Sequence, residues 1–431
     1  MKVGVIGCGY VGLTTGVCLA ELGHTVVCVD NDEEKIKKLF SGKLPIFEPN
    51  LDKLIKKNKK RIKFSIDIKD AVVSNEVIFI CVGTPSNPDG SPDLSYVEDV
   101  AKEIAKYLDS YKVVVEKSTV PVETAEWIKK TIQRYKKNNV EFDVVSNPEF
   151  LREGSAVKDF LYPDRIVIGV ESEKAKKIML KLYQKIKSPK IIVDTKSAEL
   201  IKHASNSFLA TKISFINAVA NICELSGADV EKVALGMGLD KRIGKDFLKA
   251  GVGYGGSCFP KDVDAFIWIS EKLGYDFSLL KEVKKINEKQ KELFAKKIED
   301  TLWILKEKMI GILGLSFKPN TDDIREAPSI YIIKTLKQKG AKIKAYDPKA
   351  IQKMKQIFPD IEYCDNPYEV AKNSDCLVIL TEWPEFKKLD LKKVKKLLNQ
   401  PIIIDGRNIF DPKKMTKLGF IYKCVGRRSD V

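Results

Sequence analysis

The sequence predicts an α/β protein: two doubly wound parallel-sheet domains joined by a helical middle domain with a long central helix. Short runs of β-branched and apolar residues alternate with helical patterns up to about residue 196, and again from about 301. Between them, Ser197 to about Leu225 reads as one long helix without Gly or Pro. Polar segments follow the strand-like runs, where open parallel sheets collect their ligands. The domains are expected at 1–196, 197–300 and 301–431.

Met1–Ile6 forms the first predicted strand, and Gly7-Cys8-Gly9-Tyr10-Val11-Gly12 opens a helix running to about Leu22. Val26–Val29 is the next strand, with Asp30 at its end. Strand, G-x-G-x-x-G, helix, strand and acid in this order are the Rossmann dinucleotide signature. Gly7 and Gly9 allow the tight turn and close pyrophosphate approach, and Gly12 lets helix and strand pack together. The pyrophosphate rests on the helix N-terminus, and Asp30 accepts from the ribose hydroxyls. An acid there repels a 2′-phosphate, so NAD is expected rather than NADP.

Val77–Val82 is a buried strand, followed by the loop Gly83–Gly90 with Thr84. Val113–Val115 leads into Glu116, Lys117, Ser118, Thr119 and Pro121, and Val144–Ser146 into Asn147-Pro148 and Glu149–Gly154. On the predicted central helix, Lys202 and Asn206 are four apart and share a face. Its apolar face is also a natural dimer seam. The last third repeats the first in kind, with strands at Lys308–Leu315, Lys342–Tyr346, Cys376–Leu380 and Ile402–Asp405. Gly311 and Gly314 lack the full fingerprint, so this half is read as a less stringent nucleotide site or a scaffold. Polar residues from Ser316 to Glu326, and Arg407, stand at its strand ends.

The 431 residues are 44% hydrophobic, with no apolar run near the roughly 20 residues of a membrane span. No secretory leader is expected. Nine cysteines without a CxxC pair read as a reduced, cytoplasmic pattern without a metal site. Only two histidines, His24 and His203, argue against chemistry built on a catalytic histidine. A formal charge of +16 suits an anionic, phosphorylated substrate. The lysine runs at Lys53–Lys63 and Lys387–Lys396 lack interleaved aromatics and read as solvated helix faces, not a nucleic-acid surface.

The most informative segment runs from Lys249 to Asp262 and holds Gly251, Gly253, Tyr254, Gly255, Gly256, Cys258 and Lys261. A cysteine after glycines lies on backbone that a substrate can approach, with a lysine and an aspartate close enough to polarise the thiol. A buried structural cysteine beside a flexible loop is the competing reading.

The chain resembles the UDP-glucose and GDP-mannose dehydrogenase family over nearly its whole length. The likeness is carried by Gly7–Gly12, Ser118–Val122, Asn147–Gly154, Glu199–Asn206, Gly253–Asp262 and Phe317–Arg325. It implies oxidation of a nucleotide-sugar C6 alcohol to a carboxylate with two NAD and one water. UDP-glucose going to UDP-glucuronate is the first reading, and a UDP-N-acetylhexosamine with the same mechanism the second. The resemblance makes Cys258 the nucleophile that traps the intermediate aldehyde. Lys202 and Asn206 flank the reacting oxygen, Asp262 orients that lysine or a water, Glu149 is the base for thioester hydrolysis, and Thr119 completes the water network. Cofactor contacts fall on Gly7, Gly9, Tyr10, Val11, Gly12, Asp30, Lys35, Thr84, Thr119, Glu153, Lys261 and Arg325. Substrate contacts fall on Glu149, Phe150, Leu151, Arg152, Lys202, Asn206, Phe247, Lys249, Tyr254, Gly255, Phe317, Lys318 and Arg407, with Arg242 supplied by a partner subunit in a homodimer or higher homo-oligomer. Without the resemblance, Glu149 and Glu153 would read as the solvent face of a helix. Glu123 departs from the family pattern, where glycine is common. A two-electron hydroxy-acid dehydrogenase with an incidental cysteine, and a non-enzymatic NAD-sensing or nucleic-acid-binding protein, are the remaining alternatives.

Overall fold

The computed structural model describes residues 1–428, so the last three residues of the expected C-terminal domain lie outside the described residues. It separates into two compact units: Met1–Ser205 with Asp264–Tyr275, and Asn206–Val263 with the chain from Asp276 onward.

The first unit is built on β1 (Lys2–Ile6), β2 (Thr25–Val29), β3 (Ile62–Ser65), β4 (Val77–Ile80), β5 (Lys112–Glu116), β6 (Phe142–Ser146), β7 (Ile166–Gly169) and β8 (Lys190–Val193). They form one sheet in the order β3-β2-β1-β4-β5-β6-β7-β8. Strands β1, β4 and β5 are central and read as continuous apolar runs because helices cover both faces of the sheet. Val3, Val5, Phe79 and Val115 face one core, and Ile78, Ile80 and Val114 the other. Pairing is parallel except where Ser146 of β6 meets Gly169 of β7 antiparallel. Lys53–Lys63 is not one helix face: the helix ends at Lys57, and Ile62 and Lys63 enter β3 beside β2.

The second unit carries β9 (Met309–Leu313), β10 (Lys342–Tyr346), β11 (Glu362–Tyr363), β12 (Cys376–Ile379), β13 (Ile402–Asp405) and β14 (Ile421–Cys424), all parallel, in the order β11-β10-β9-β12-β13-β14. Ile216, Ala220, Phe294 and Ile298 from its long helices pack on one face, and Trp383, Phe386, Met415 and Tyr422 on the other.

The central helix spans Thr195–Ser226. By length and composition it is apolar enough to cross a membrane, which corrects the expectation that no run comes near a span. Its polar side chains are nevertheless matched to this fold. Ser214 Oγ donates to Val283 O (2.8 Å), and Asn217 Oδ1 accepts from Gly251 N (2.8 Å).

Candidate active site

The glycine loop has the form a dinucleotide requires. Gly7 sits at φ 99°, a left-handed value that glycine alone adopts without strain, and a Cβ there would lie 2.5 Å from Cys81 O. At Gly12 a Cβ would lie 1.8 Å from Gly7 O, so the helix Tyr10–Glu21 closes on β1 only without a side chain. A Cβ at Gly9 would meet nothing within 4 Å, leaving that side open to a ligand. No side chain caps the helix N-terminus, so its N–H groups remain for an anion. Asp30 accepts from Cys8 N (2.7 Å) and Asp32 N (3.0 Å), while Lys35 Nζ lies 3.1 Å from both of its oxygens. Lys35 is thus held beside Asp30. Tyr10 hydroxyl donates to Phe47 O (3.3 Å), and Val11 lies in the first turn of the helix. Thr84 Oγ1 donates to Thr119 O (2.8 Å) and Ser118 Oγ to Val82 O (2.8 Å), tying the ends of β4 and β5 together.

After β6 the chain does not enter a helix until Ala156, so Glu149 and Glu153 are not a helix face. Glu149 is buried, accepts from Leu151 N and bonds Lys202 Nζ at 3.1 Å. Lys202 Nζ also stands 5.4 Å from the Phe150 ring centroid, whose ring carries the Arg165 guanidinium at 3.7 Å. Arg152 pairs with Asp159 (2.6 Å) and is exposed. Glu153 is half-buried beside Gly154, whose N–H, with that of Ala156, is taken by the buried carboxylate of Glu48 (2.7 and 2.8 Å).

In the second unit Cys258 is half-exposed and immediately precedes the helix Phe259–Lys272, its carbonyl accepting from Asp262 N (2.8 Å). Asp262 Oδ2 accepts from Asn206 Nδ2 at 2.6 Å and its Oδ1 pairs with Lys261 Nζ at 2.8 Å. The glycines ahead of Cys258 also serve the packing of the protein itself. A Cβ at Gly255 would lie 2.0 Å from Glu326 O, and one at Gly256 2.7 Å from the Phe317 ring. A side chain at either position would collide with the protein itself.

Around the segment, Phe247 and Tyr254 set their rings edge-on to Phe259 at 6.0 and 5.9 Å. Arg407 donates to three carbonyls, of Leu380 (2.7 Å), Phe317 (3.2 Å) and Gly253 (3.4 Å), clamping β12, the post-β9 loop and the glycine segment. Lys318 Nζ lies 5.3 Å from the Phe317 ring centroid, and Arg325 makes a two-pronged bond to Asp323. Lys249 is exposed, and exposed Arg242 pairs with Asp240 (2.6 Å).

Three buried charges were not singled out from sequence. Glu48 has no local signal. Glu199 was noted only within a motif; its carboxylate takes the N–H groups of Glu123 and Ala125 (both 2.7 Å), and burial pushes it up to about 7. Lys117, a charge following an apolar strand, was a readable signal; burial brings it down to about 8. Glu123 itself adopts φ 80°, the left-handed conformation for which glycine is suited.

Models of the UDP-glucose/GDP-mannose dehydrogenase family match the chain in three blocks: the NAD binding domain at residues 1–187, the central domain at 196–289 and the UDP binding domain at 311–412. UDP-glucose 6-dehydrogenase TuaD of Bacillus subtilis is 50% identical over 429 residues, covering 99% of this chain and 93% of the relative. The UDP-glucose 6-dehydrogenase of Rhizobium meliloti is 45% identical over 436 residues, covering 99% and 100%. A solved UDP-glucose dehydrogenase from Pyrobaculum islandicum superposes with a TM-score of 0.93 at 38% identity, covering 99% of this chain and 98% of that one.

Proposed function

Since the chain belongs to the UDP-glucose/GDP-mannose dehydrogenase family, we propose that it oxidises UDP-glucose to UDP-glucuronate, reducing two NAD and consuming one water. The observation that carries the reading is full-length identity of 41–50% to several UDP-glucose 6-dehydrogenases. NAD fits the open face at Gly9 and the acid Asp30, and supplies the hydride acceptor.

The chemistry falls to the chain's own side chains. Loss of hydride from C6 and of the proton from its hydroxyl leaves an aldehyde, which cannot give up a second hydride until a nucleophile adds. Cys258 thiolate adds to the carbonyl carbon and forms a thiohemiacetal. Removal of the second hydride leaves a thioester. Water then adds, its proton taken by Glu149, and the thiolate departs as the carboxylate forms. Lys202 and Asn206 stabilise negative charge on the reacting oxygen. Asp262, bonded to Asn206 and Lys261, fixes the orientation of that amide.

A homodimer is supported by an exposed apolar stripe on the central helix, Phe208, Phe215, Ile222 and Leu225, continued by Leu235 and Leu239. Arg242 would then reach the partner's substrate. A cytoplasmic setting suits nine cysteines, none joined by a disulfide among the described residues.

The test is NADH formation with UDP-glucose, UDP-N-acetylglucosamine, UDP-N-acetylmannosamine and GDP-mannose side by side. Two NADH per UDP-glucose are expected, with Cys258→Ala making no uronate while still binding NAD. One NADH per sugar, or uronate from Cys258→Ala, excludes the thioester route.

A further inference from the structure

Lys117 is a buried charge that the proposed chemistry leaves unused. It follows β5, and its Nζ donates to both the main-chain oxygen (3.0 Å) and Oδ1 (3.2 Å) of Asn147. The rest of Asn147 is also taken up. Its N–H donates to Glu116 O (2.8 Å) and its Nδ2 to Val167 O (2.6 Å), while Oδ1 accepts from Tyr183 (2.6 Å). Asn147 thus joins β5, β6 and β7, and the chain leaves it through Pro148 directly into Glu149. Lys117 and Glu149 also line the same cavity of about 40 Å³.

We infer that Lys117 is a positioning residue: by pinning Asn147 it holds the Asn147–Glu149 turn so that the Glu149 carboxylate meets Lys202 and the hydrolytic water. This rests on the reading of Glu149 as the base. The lysine is retained against its solvation. Burial lowers its pKa, opposed by Cys81, Glu149 and Glu116 and reinforced by Lys202. A purely architectural role at this position is open to an apolar side chain of similar length.

The test compares Lys117→Met, Lys117→Gln and Glu149→Gln in rapid-mixing measurements of NADH per active site. Lys117→Met is expected to release two NADH in a burst and then turn over roughly ten- to a hundredfold more slowly, since a misplaced base stalls only hydrolysis. Its UDP-glucose KM stays within about threefold and its Tm within a few degrees of the parent. Lys117→Gln, which can still donate to Asn147, recovers part of the rate. Lys117→Met combined with Glu149→Gln turns over no more slowly than Glu149→Gln alone. Parent-like steady-state turnover in Lys117→Met, or burst and turnover falling together with Tm, overturns the positioning role. Parent-like turnover in Glu149→Gln overturns instead the assignment of the base. If Lys117→Met does not fold, Lys117→Gln decides: a burst followed by slowed turnover sustains the role, and parent-like turnover ends it.

Discussion

Two alanine substitutions in the glycine loop separate what the fold needs from what the cofactor needs. At Gly9 the backbone lies at φ −77°, open to any L-residue, and an added Cβ meets no protein atom within 4 Å. Gly9→Ala is therefore expected to leave Tm within about 2 °C of the parent. The methyl instead occupies the approach of the pyrophosphate. Losing one hydrogen bond to a charged group, about 1.5–3 kcal/mol, raises the Kd for NAD roughly ten- to a hundredfold. Gly12→Ala does something different. Its Cβ would lie 1.8 Å from Gly7 O, where a carbon–oxygen contact needs about 3.3 Å, so helix and strand must part by about 1.5 Å. Overpacking of this kind costs about 1–3 kcal/mol, a Tm loss of roughly 3–10 °C, besides weakened NAD binding. Calorimetric titration with NAD and thermal unfolding read both effects. Gly9→Ala binding NAD within twofold of the parent, or Gly12→Ala melting with the parent, would refute the reasoning.

Glu199 is raised by burial to about 7, so between about 4.5 and 7 the folded chain keeps a proton that the unfolded chain releases. The associated stability is complete below about 4.5 and lost as pH rises through 7, at most about 3 kcal/mol. The Tm of the parent should therefore fall relative to Glu199→Gln from pH 5 to 7 and run parallel above 8; parallel curves throughout would contradict the shift. Lys202→Met strands the buried Glu149 carboxylate and should cost roughly 3–5 kcal/mol, while Lys202→Met with Glu149→Gln costs less than either loss added to the other. Simple additivity in thermal unfolding would deny the pair.

Much of this was legible because it is local. β1, β4, β5, β9, β12 and β13 are buried on both faces, and a run such as Val77–Ile80 has one physical use. The short strands β3 and β11 carry lysine or glutamate among few apolar residues, so their pairing is set by the neighbour and not by their own pattern. At the site, Glu149 was reached only through the family likeness, because two acids four apart look like a helix face. What settles its environment is Lys202, 53 residues away along the chain. Glu48, which caps Gly154 and Ala156 from more than a hundred residues upstream, shows the same limit. The glycines before Cys258 were visible, but the close packing they permit was not. Glu326 and Phe317, which fill the space a Cβ would need, belong to a distant loop.

The two sheets use one device in two ways. Gly7 after β1 and Gly314 after β9 adopt φ 99° and 94°, and each donates its N–H to the neighbouring strand's end, Val29 O (2.7 Å) and Tyr346 O (2.9 Å). In each, the next residue's N–H is taken by an aspartate just past that strand: Cys8 by Asp30 (2.7 Å) and Leu315 by Asp347 (2.8 Å). The acids then diverge. Asp347 also accepts from Ser316 N and Oγ, Lys349 N, Ala350 N and Trp383 Nε1, so its oxygens are consumed by the protein. Asp30 has two backbone donors and the movable ammonium of Lys35, which leaves it able to take a ribose hydroxyl. Asp347→Asn should therefore turn a donor towards these N–H groups and lower stability by about 1–3 kcal/mol for each bond left unmet, read as a lower Tm, with the NAD Kd unchanged. Asp30→Asn leaves one of only two backbone N–H groups unmet, so it should lower Tm less than Asp347→Asn, while it weakens NAD and improves NADP relative to it by roughly tenfold, because Lys35 is released to a 2′-phosphate. An Asp347→Asn protein that melts with the parent, or an Asp30→Asn protein with the parent's NAD-to-NADP ratio, would show that the two acids are not divided in this way.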